Sequence, residues 1–368
     1  MSMRPRLFVL VAAAAGFVLV GPASGGELDL AYRVDQPAFH LPAATTRTAL
    51  PRLLEEYVPP PRPPAPASAT ATEAASGAPF LYVWDRVRAG FALPALAGAR
   101  VEHWQRWYLD HPQLLKAMFE RSRIYIYYVV EELDKRKLPT ELAFLPMVES
   151  GYSPAALSSA QASGLWQFIP STGRAYKLGQ GIVYDNRRDI IASTAAALDY
   201  LQSLYTRFGD WQLALAAYNS GEAAVARAIA RNKARGLPVD YQTLPLPEET
   251  RDYLPKLQAL KNIVANPGVF NLQIEPVPNK PYFATVASER YLDVDVAARL
   301  AGVPLNEFLA LNPAFNLNLM FNGPGTQIVL PVDKVDAFIS NLDNYKEPPK
   351  RARRGGVVGG APSPRLVP

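Results

Sequence analysis

The chain has 368 residues, about half of them apolar, and a formal charge of +5; that length allows two or three compact units and a real hydrophobic core. It has no cysteine, which excludes disulfides, thiolate metal sites and a thioether-linked lipid. Three scattered histidines (His40, His103, His111) have no metal-ligand spacing, and the mild positive charge favours an anionic polymer as partner while being too weak to argue for nucleic acid.

Residues 1–25 have the three-part pattern of a secretory signal. Arg4 and Arg6 precede an apolar run from Leu7 to Val20, and small residues follow from Gly21 to Gly25. The run is short for a membrane span. An uncleaved N-terminal anchor is the alternative, and either way the body is expected outside the cytoplasm, in the periplasm or cell envelope, with peripheral membrane association open. Residues 26–79 form a poorly structured segment whose Pro/Ala-rich stretch at 59–77 reads as a linker.

Residues 80–137 read as a helical lead-in. Trp104, Trp107, Tyr108, Leu114, Leu115 and Met118 recur at spacings of three and four, Pro112 opens a new helix, and Ile124–Leu133 is a second apolar run. Residues 138–268 read as packed helices: Glu141–Glu149, Ile190–Phe208 ended by Gly209, Trp211–Tyr218 capped by Asp210, and Glu248–Val264. In Ile190–Phe208 the buried face is expected at Ile191, Ala195, Leu198, Leu201 and Leu204 or Tyr205. Residues 280–340 change character. A strand at Tyr282–Val286, helices at Val294–Ala301 and Leu305–Leu311, and a strand at Thr326–Leu330 make a small α+β module of order βααβ. The tail, residues 346–368, is expected to be disordered. The fold class is therefore mainly α, with a small α+β module behind it.

One carboxylate stands out. In Glu141–Glu149 six apolar residues, Ala143 to Val148, lead to Glu149, and the chain breaks at Gly151. At helical spacing Leu142, Leu145 and Glu149 share a face. If that face is buried, the neutral carboxyl is favoured, as a general acid requires; a solvated glutamate at a helix end fits the same pattern. Three further stretches carry sugar-binding chemistry: Gly164-Leu165-Trp166-Gln167, Ala217-Tyr218-Asn219-Ser220-Gly221, and Tyr253 in a helix with Pro255. Asp185 and Asp189 read as helix caps. Glu222, close to Asn219, is the least secure exclusion as a second carboxylate.

In this order and spacing, the segments resemble the catalytic domain of the soluble-lytic-transglycosylase type, within the lytic murein transglycosylases. That family carries a Glu-Ser pair, a Gly-Leu-Met-Gln-like turn and an Ala-Tyr-Asn motif, matched here by Glu149-Ser150, Gly164–Gln167 and Ala217–Asn219. Trp166 in the turn, Ser158 nine residues after Glu149, and Pro245–Thr250 before Tyr253 are similar to its membrane-bound D branch. The resemblance implies a lysozyme-like fold and cleavage of peptidoglycan glycan strands between N-acetylmuramic acid and N-acetylglucosamine, leaving a 1,6-anhydro ring and needing no cofactor and no metal. It implies Glu149 as acid and then base, Ser158 orienting the acid or a nearby acetamido group, Gln167, Tyr218 and Asn219 binding sugar and polarising the site, Ser150 among the substrate-binding residues, Tyr253 bonded near Glu149, and Trp166 packed under a sugar. Gln161 stands where many relatives have glycine. The C-terminal module resembles LysM-type glycan-binding modules in Leu292–Ala301, Leu311-Asn312-Pro313 and Gln327–Pro331, with Ser288-Glu289-Arg290-Tyr291 in place of the usual opening. A hydrolytic lysozyme on the same fold and a non-catalytic peptidoglycan-binding scaffold are the rival readings.

Overall fold

A computed structural model of the protein describes residues 80–288, 292–316, 319–320 and 327–346. The expected signal segment, the 26–79 segment with its linker, and the tail from 347 lie outside the described residues.

Ten helices build the body. Helices α1 (Val83–Ala89), α2 (Ala99–Asp110), α3 (Pro112–Ser122) and α4 (Ile126–Lys135) form the lead-in. Short α5 (Leu145–Ser150) and α6 (Pro170–Ala175) precede the long α7 (Ile190–Phe208), then α8 (Trp211–Ser220), α9 (Glu222–Lys233) and α10 (Glu248–Ala265). Helix α10 is the central rod: it packs on α2, α8 and the segment before α5. Its buried residues, from Thr250 and Tyr253 to Ile263 and Val264, lie on more than one face, as expected of a helix surrounded by others. The lead-in and the later helices share one hydrophobic core, running from Val83 and Trp104 through Leu142, Trp166 and Leu201 to Leu260.

Glu141–Glu149 is not one helix. Thr140–Phe144 is a 3₁₀ turn and α5 begins only at Leu145. Pro146 near its start has no N–H for an α-type bond, so the chain changes winding there. Glu141 is fully buried in that 3₁₀ turn. Its carboxylate accepts the backbone N–H groups of Ala92 and Leu93, both at 2.9 Å, and pairs with Lys261 Nζ at 2.7 Å. That buried pair ties α10 to the segment leading into α5.

Helix α7 begins on Asp189, whose Oδ1 accepts from Ala192 N at 2.7 Å, and ends on Gly209 at φ +67°. Its most deeply buried residues include Ile190, Ala197, Leu198, Leu201 and Leu204. Ile191 and Ala195 are only partly covered, and Tyr205 lies outside, stacked on Trp211. The expected face was rotated by about one residue at its start.

The module after residue 280 pairs β1 (Phe283–Ala287) antiparallel with β4 (Gln327–Pro331), Thr285 opposite Val329, and β2 (Leu292–Asp293) with β3 (Leu319–Met320). Helices α11 (Val294–Ala301) and α12 (Leu305–Leu311) fall where the pattern put them. A third helix, α13 (Val335–Asn344), was not expected; its Phe338 is fully buried in the module's own core beside Phe308, Ile328 and Leu330. The module also shares side chains with the body's core through Phe283, Leu311 and Val329.

Candidate active site

Helix α5 has only six residues and ends where Gly151 turns left-handed at φ +59°. Gly151 is close-packed as well as left-handed: a Cβ there would lie 2.8 Å from an Arg121 guanidinium nitrogen. Arg121 Nε donates to the Gly151 carbonyl at 2.7 Å, so the end of α5 is held from the lead-in. The neighbour of Glu149, Ser150, turns its hydroxyl back onto the Leu165 carbonyl at 2.9 Å and the Pro146 carbonyl at 3.1 Å. That bond joins α5 to the Gly164–Gln167 turn.

Glu149 is partly covered, at the end of this helix. Tyr253 Oη donates to its Oε1 at 2.5 Å. Burial pushes the Glu149 carboxyl up to about 7; the Tyr253 bond opposes the rise, the nearby Glu249 charge adds to it, and Lys256 opposes it. Tyr253 and Tyr218 are both pushed well above the usual phenol range, by burial first and then by the Glu149 charge. They remain neutral donors at any working pH. Tyr218 Oη donates to the Trp166 carbonyl at 2.9 Å. Asn219, at the end of α8, accepts from Thr250 Oγ1 at 2.8 Å through its Oδ1, so α8 and α10 are clasped next to Tyr253. Gln167 is partly exposed at φ +48°; its Nε2 donates to the Gly164 carbonyl at 2.8 Å and the Ala156 carbonyl at 3.3 Å.

The structure thus brings Glu149, Ser150, Gln167, Tyr218, Asn219 and Tyr253 together, and one other expectation changes. Trp166 is not a platform under a sugar. It is fully buried, its Nε1 donating to Thr194 Oγ1 of α7 at 3.0 Å. A large apolar ring here fills the space between the turn and α7. Ser158 makes no bond to Glu149: its hydroxyl accepts from Ala162 N at 3.0 Å and closes the 158–162 turn. Gln161 adopts φ +61° in that turn, the left-handed conformation glycine takes most easily.

Asp185 is not a helix cap. It is buried and paired with Arg187, Nη2 to Oδ2 at 2.6 Å. Asp189 caps α7. Glu222 is paired with Arg207 at the surface. Two charged residues near Glu149 had been missed, Glu249 and Lys256. They stand four residues before and three after Tyr253, and this i−4, i+3 relation on one helix was the available signal. Lys256 is held below the usual lysine range by burial, against the pull of Asp252, Glu249 and Glu149. Its Nζ lies 4.5 Å above the Trp104 ring. Among the described residues no group of three or more acidic or histidine side chains is arranged to hold a metal.

Residues 128–237 match the family of transglycosylase SLT domains. The chain carries a transglycosylase SLT domain. Its fold is the mainly α, lysozyme-like one expected. Of the site residues expected from the sequence, all but Tyr253 lie inside the matched SLT segment. Residues 282–347 match the LysM-like domain of the lytic transglycosylase MltD, so the βααβ module behind the SLT domain is LysM-like. Membrane-bound lytic murein transglycosylase D of Escherichia coli K12 is 38% identical over 244 residues, 66% of this chain and 54% of that protein. A putative tributyltin chloride resistance protein of Alteromonas sp. strain M-1 is 45% identical over 123 residues, 33% of this chain and 59% of that protein. The chain therefore spans little more than half the length of these relatives. Among solved structures, the lytic transglycosylase Slt of Pseudomonas aeruginosa is similar over 40% of this chain and 24% of that one, at 23% identity and a TM-score of 0.31.

Proposed function

We propose that the protein is a peptidoglycan lytic transglycosylase, cutting the β-1,4 bond between N-acetylmuramic acid and N-acetylglucosamine without water. The observation that carries this reading is the pairing of Glu149 with Tyr253 at 2.5 Å, in surroundings that push the carboxyl up to about 7. A carboxyl of that kind holds its proton near neutrality and can give it to a glycosidic oxygen.

The roles follow. Protonated Glu149 donates to the bridging oxygen as the C1–O bond breaks. The Glu149 carboxylate, briefly ionised, accepts a hydrogen bond from Tyr253. It then takes the proton of the muramic C6 hydroxyl as O6 attacks C1, closing the 1,6-anhydro ring. The carboxyl ends as it began. Ser150 and Tyr218, bonded to the Leu165 and Trp166 carbonyls, set α5 and α8 against the Gly164–Gln167 turn. Gln167 and Asn219 face the sugar, and the LysM-like module and mild positive charge suit an anionic wall polymer. The signal-like residues 1–25 and the membrane-bound relative support a location in the cell envelope, outside the cytoplasm. Among the described residues no helix is long and apolar enough to cross a membrane.

One observation favours a second reading. Glu249 is exposed and its charge reaches Glu149. A second carboxylate across a scissile bond is what a hydrolase uses to activate water. Mass spectrometry of digested peptidoglycan separates the two. A transglycosylase releases muropeptides lighter by one water, with anhydro ends. Hydrated ends alone would make the protein a hydrolase.

A further inference from the structure

The LysM-like module touches the SLT domain with the segment that follows α12, and that segment reaches toward Glu149 in three steps. In the first, the module holds the 181–188 loop. Asp185 N donates to the Ala314 carbonyl at 2.9 Å and Asn316 N to the Val183 carbonyl at 2.8 Å. The Asn316 side chain holds the loop at two more points: its Nδ2 donates to the Gly181 carbonyl at 3.0 Å, and its Oδ1 accepts from Arg188 Nη1 at 3.0 Å. Phe315 packs its ring edge-on to Tyr184, and Tyr125 Oη donates to the Ala310 carbonyl at 2.7 Å.

In the second step the 181–188 loop holds the 161–168 turn. Arg188 Nε donates to Ser163 Oγ at 2.9 Å. Arg187, fixed by Asp185, donates from Nη1 to the Gln161 and Phe168 carbonyls at 2.6 and 3.2 Å. The two strips run so close that a Cβ on Gly164 would lie 2.0 Å from the Arg187 carbonyl oxygen, which requires glycine there. In the third step the turn holds the acid's neighbours: the Leu165 carbonyl receives Ser150 and the Trp166 carbonyl receives Tyr218. No link rests on bulk packing alone.

We infer that Asn316 and Arg188 are positioning residues for the Glu149 site, and that the LysM-like module is thereby a structural part of the catalytic unit as well as an appendage to it. The inference rests on the transglycosylase reading. It assigns Asn316 no contact with substrate. Its side chain fixes the 181–188 loop, the loop fixes the turn, and the turn fixes the end of α5.

The full chain and its Asn316→Ala, Arg188→Ala and double variants test this. Both side chains lie at or near the surface, so the variants should fold, as circular dichroism will report. On soluble glycan oligomers each single variant is expected to lower kcat about tenfold with KM within about twofold, because a small misplacement of an acid is felt in the chemical step. The double variant should be little worse than either single one, since both cut the same relay. Amide hydrogen exchange of residues 161–168 should become faster in all three. Unchanged kcat together with unchanged exchange would overturn the inference, as would a loss confined to KM. If the wild type forms no anhydro ends, the transglycosylase reading fails by itself. The exchange measurement still decides the coupling: unaltered protection of 161–168 in the variants would end it.

Discussion

Tyr253 reaches across 104 residues of sequence to donate a 2.5 Å hydrogen bond to Oε1 of Glu149. The bond favours the charged carboxylate, while burial of the same carboxyl favours the neutral form more strongly. Glu149 is therefore poised near neutrality, able to lose a proton and recover it.

Tyr253→Phe removes that donor and leaves the ring. The carboxyl should rise further, so the alkaline limb of kcat against pH should move to higher pH. The ionised form of Glu149 loses its partner, and kcat should fall roughly ten- to a hundredfold. A pH–rate profile of the variant on soluble glycan checks both effects. A limb that moves to lower pH would contradict this account of the bond.

Glu249 and Lys256 bracket the acid with opposite charges. Glu249→Gln removes a charge that raises Glu149, so the alkaline limb should move to lower pH; Lys256→Met removes one that lowers it, so the limb should move up. For Glu249→Gln a shift of about a few tenths of a pH value is expected, because an exposed charge is screened; Lys256 is partly buried, and its removal should move the limb further. Glu249→Gln should still form anhydro ends. Loss of cleavage in that variant, with hydrated ends in the wild type, would make Glu249 the water activator.

Poising the acid costs stability. A carboxyl raised in the folded state contributes stability that is fully present below its unfolded value and lost as pH rises through the folded value, here about 7. Glu149→Gln cannot ionise and should not show this loss. Thermal unfolding should find the variant more stable than wild type at pH 8, by on the order of 1–3 kcal/mol, with the gap closed near pH 4.5.

Trp166 is a core residue, and its substitutions should sort accordingly. Trp166→Ala should destabilise the fold by about 3–5 kcal/mol through the cavity it leaves. Trp166→Phe should cost much less and keep KM close to wild type. Denaturant unfolding and glycan kinetics on the two variants check this. A large rise in KM with unchanged stability would return Trp166 to the sugar.

Much of the fold was legible because helix ends carry local chemistry. Asp189 and Gly209 bound α7, Asp210 opens α8, and the breaks around α11 and α12 are equally local. The Glu149 motif was legible too, since a carboxylate at the end of an apolar run is a local pattern. The remainder depends on packing. Pro146 altered the winding before α5, which a period of 3.6 cannot reveal. Trp166 in a tight turn reads alike whether it faces solvent or α7; only the packing of the turn on α7 puts it on Thr194. Asp185 looked like a cap because its partner Arg187, two residues on, turns inward to hold distant carbonyls. Glu249 and Lys256 were signalled only by their spacing from Tyr253, because α10 brings them to Glu149 from a hundred residues away.

The central claim is that Glu149 keeps its proton near neutral pH. Carbon-13 NMR of protein labelled at glutamate side-chain carboxyls, assigned by comparison with Glu149→Gln, measures this directly. The account predicts that the Glu149 resonance titrates with a midpoint near 7, and that Tyr253→Phe moves the midpoint higher. A midpoint at the ordinary glutamate value of about 4.3 would contradict it.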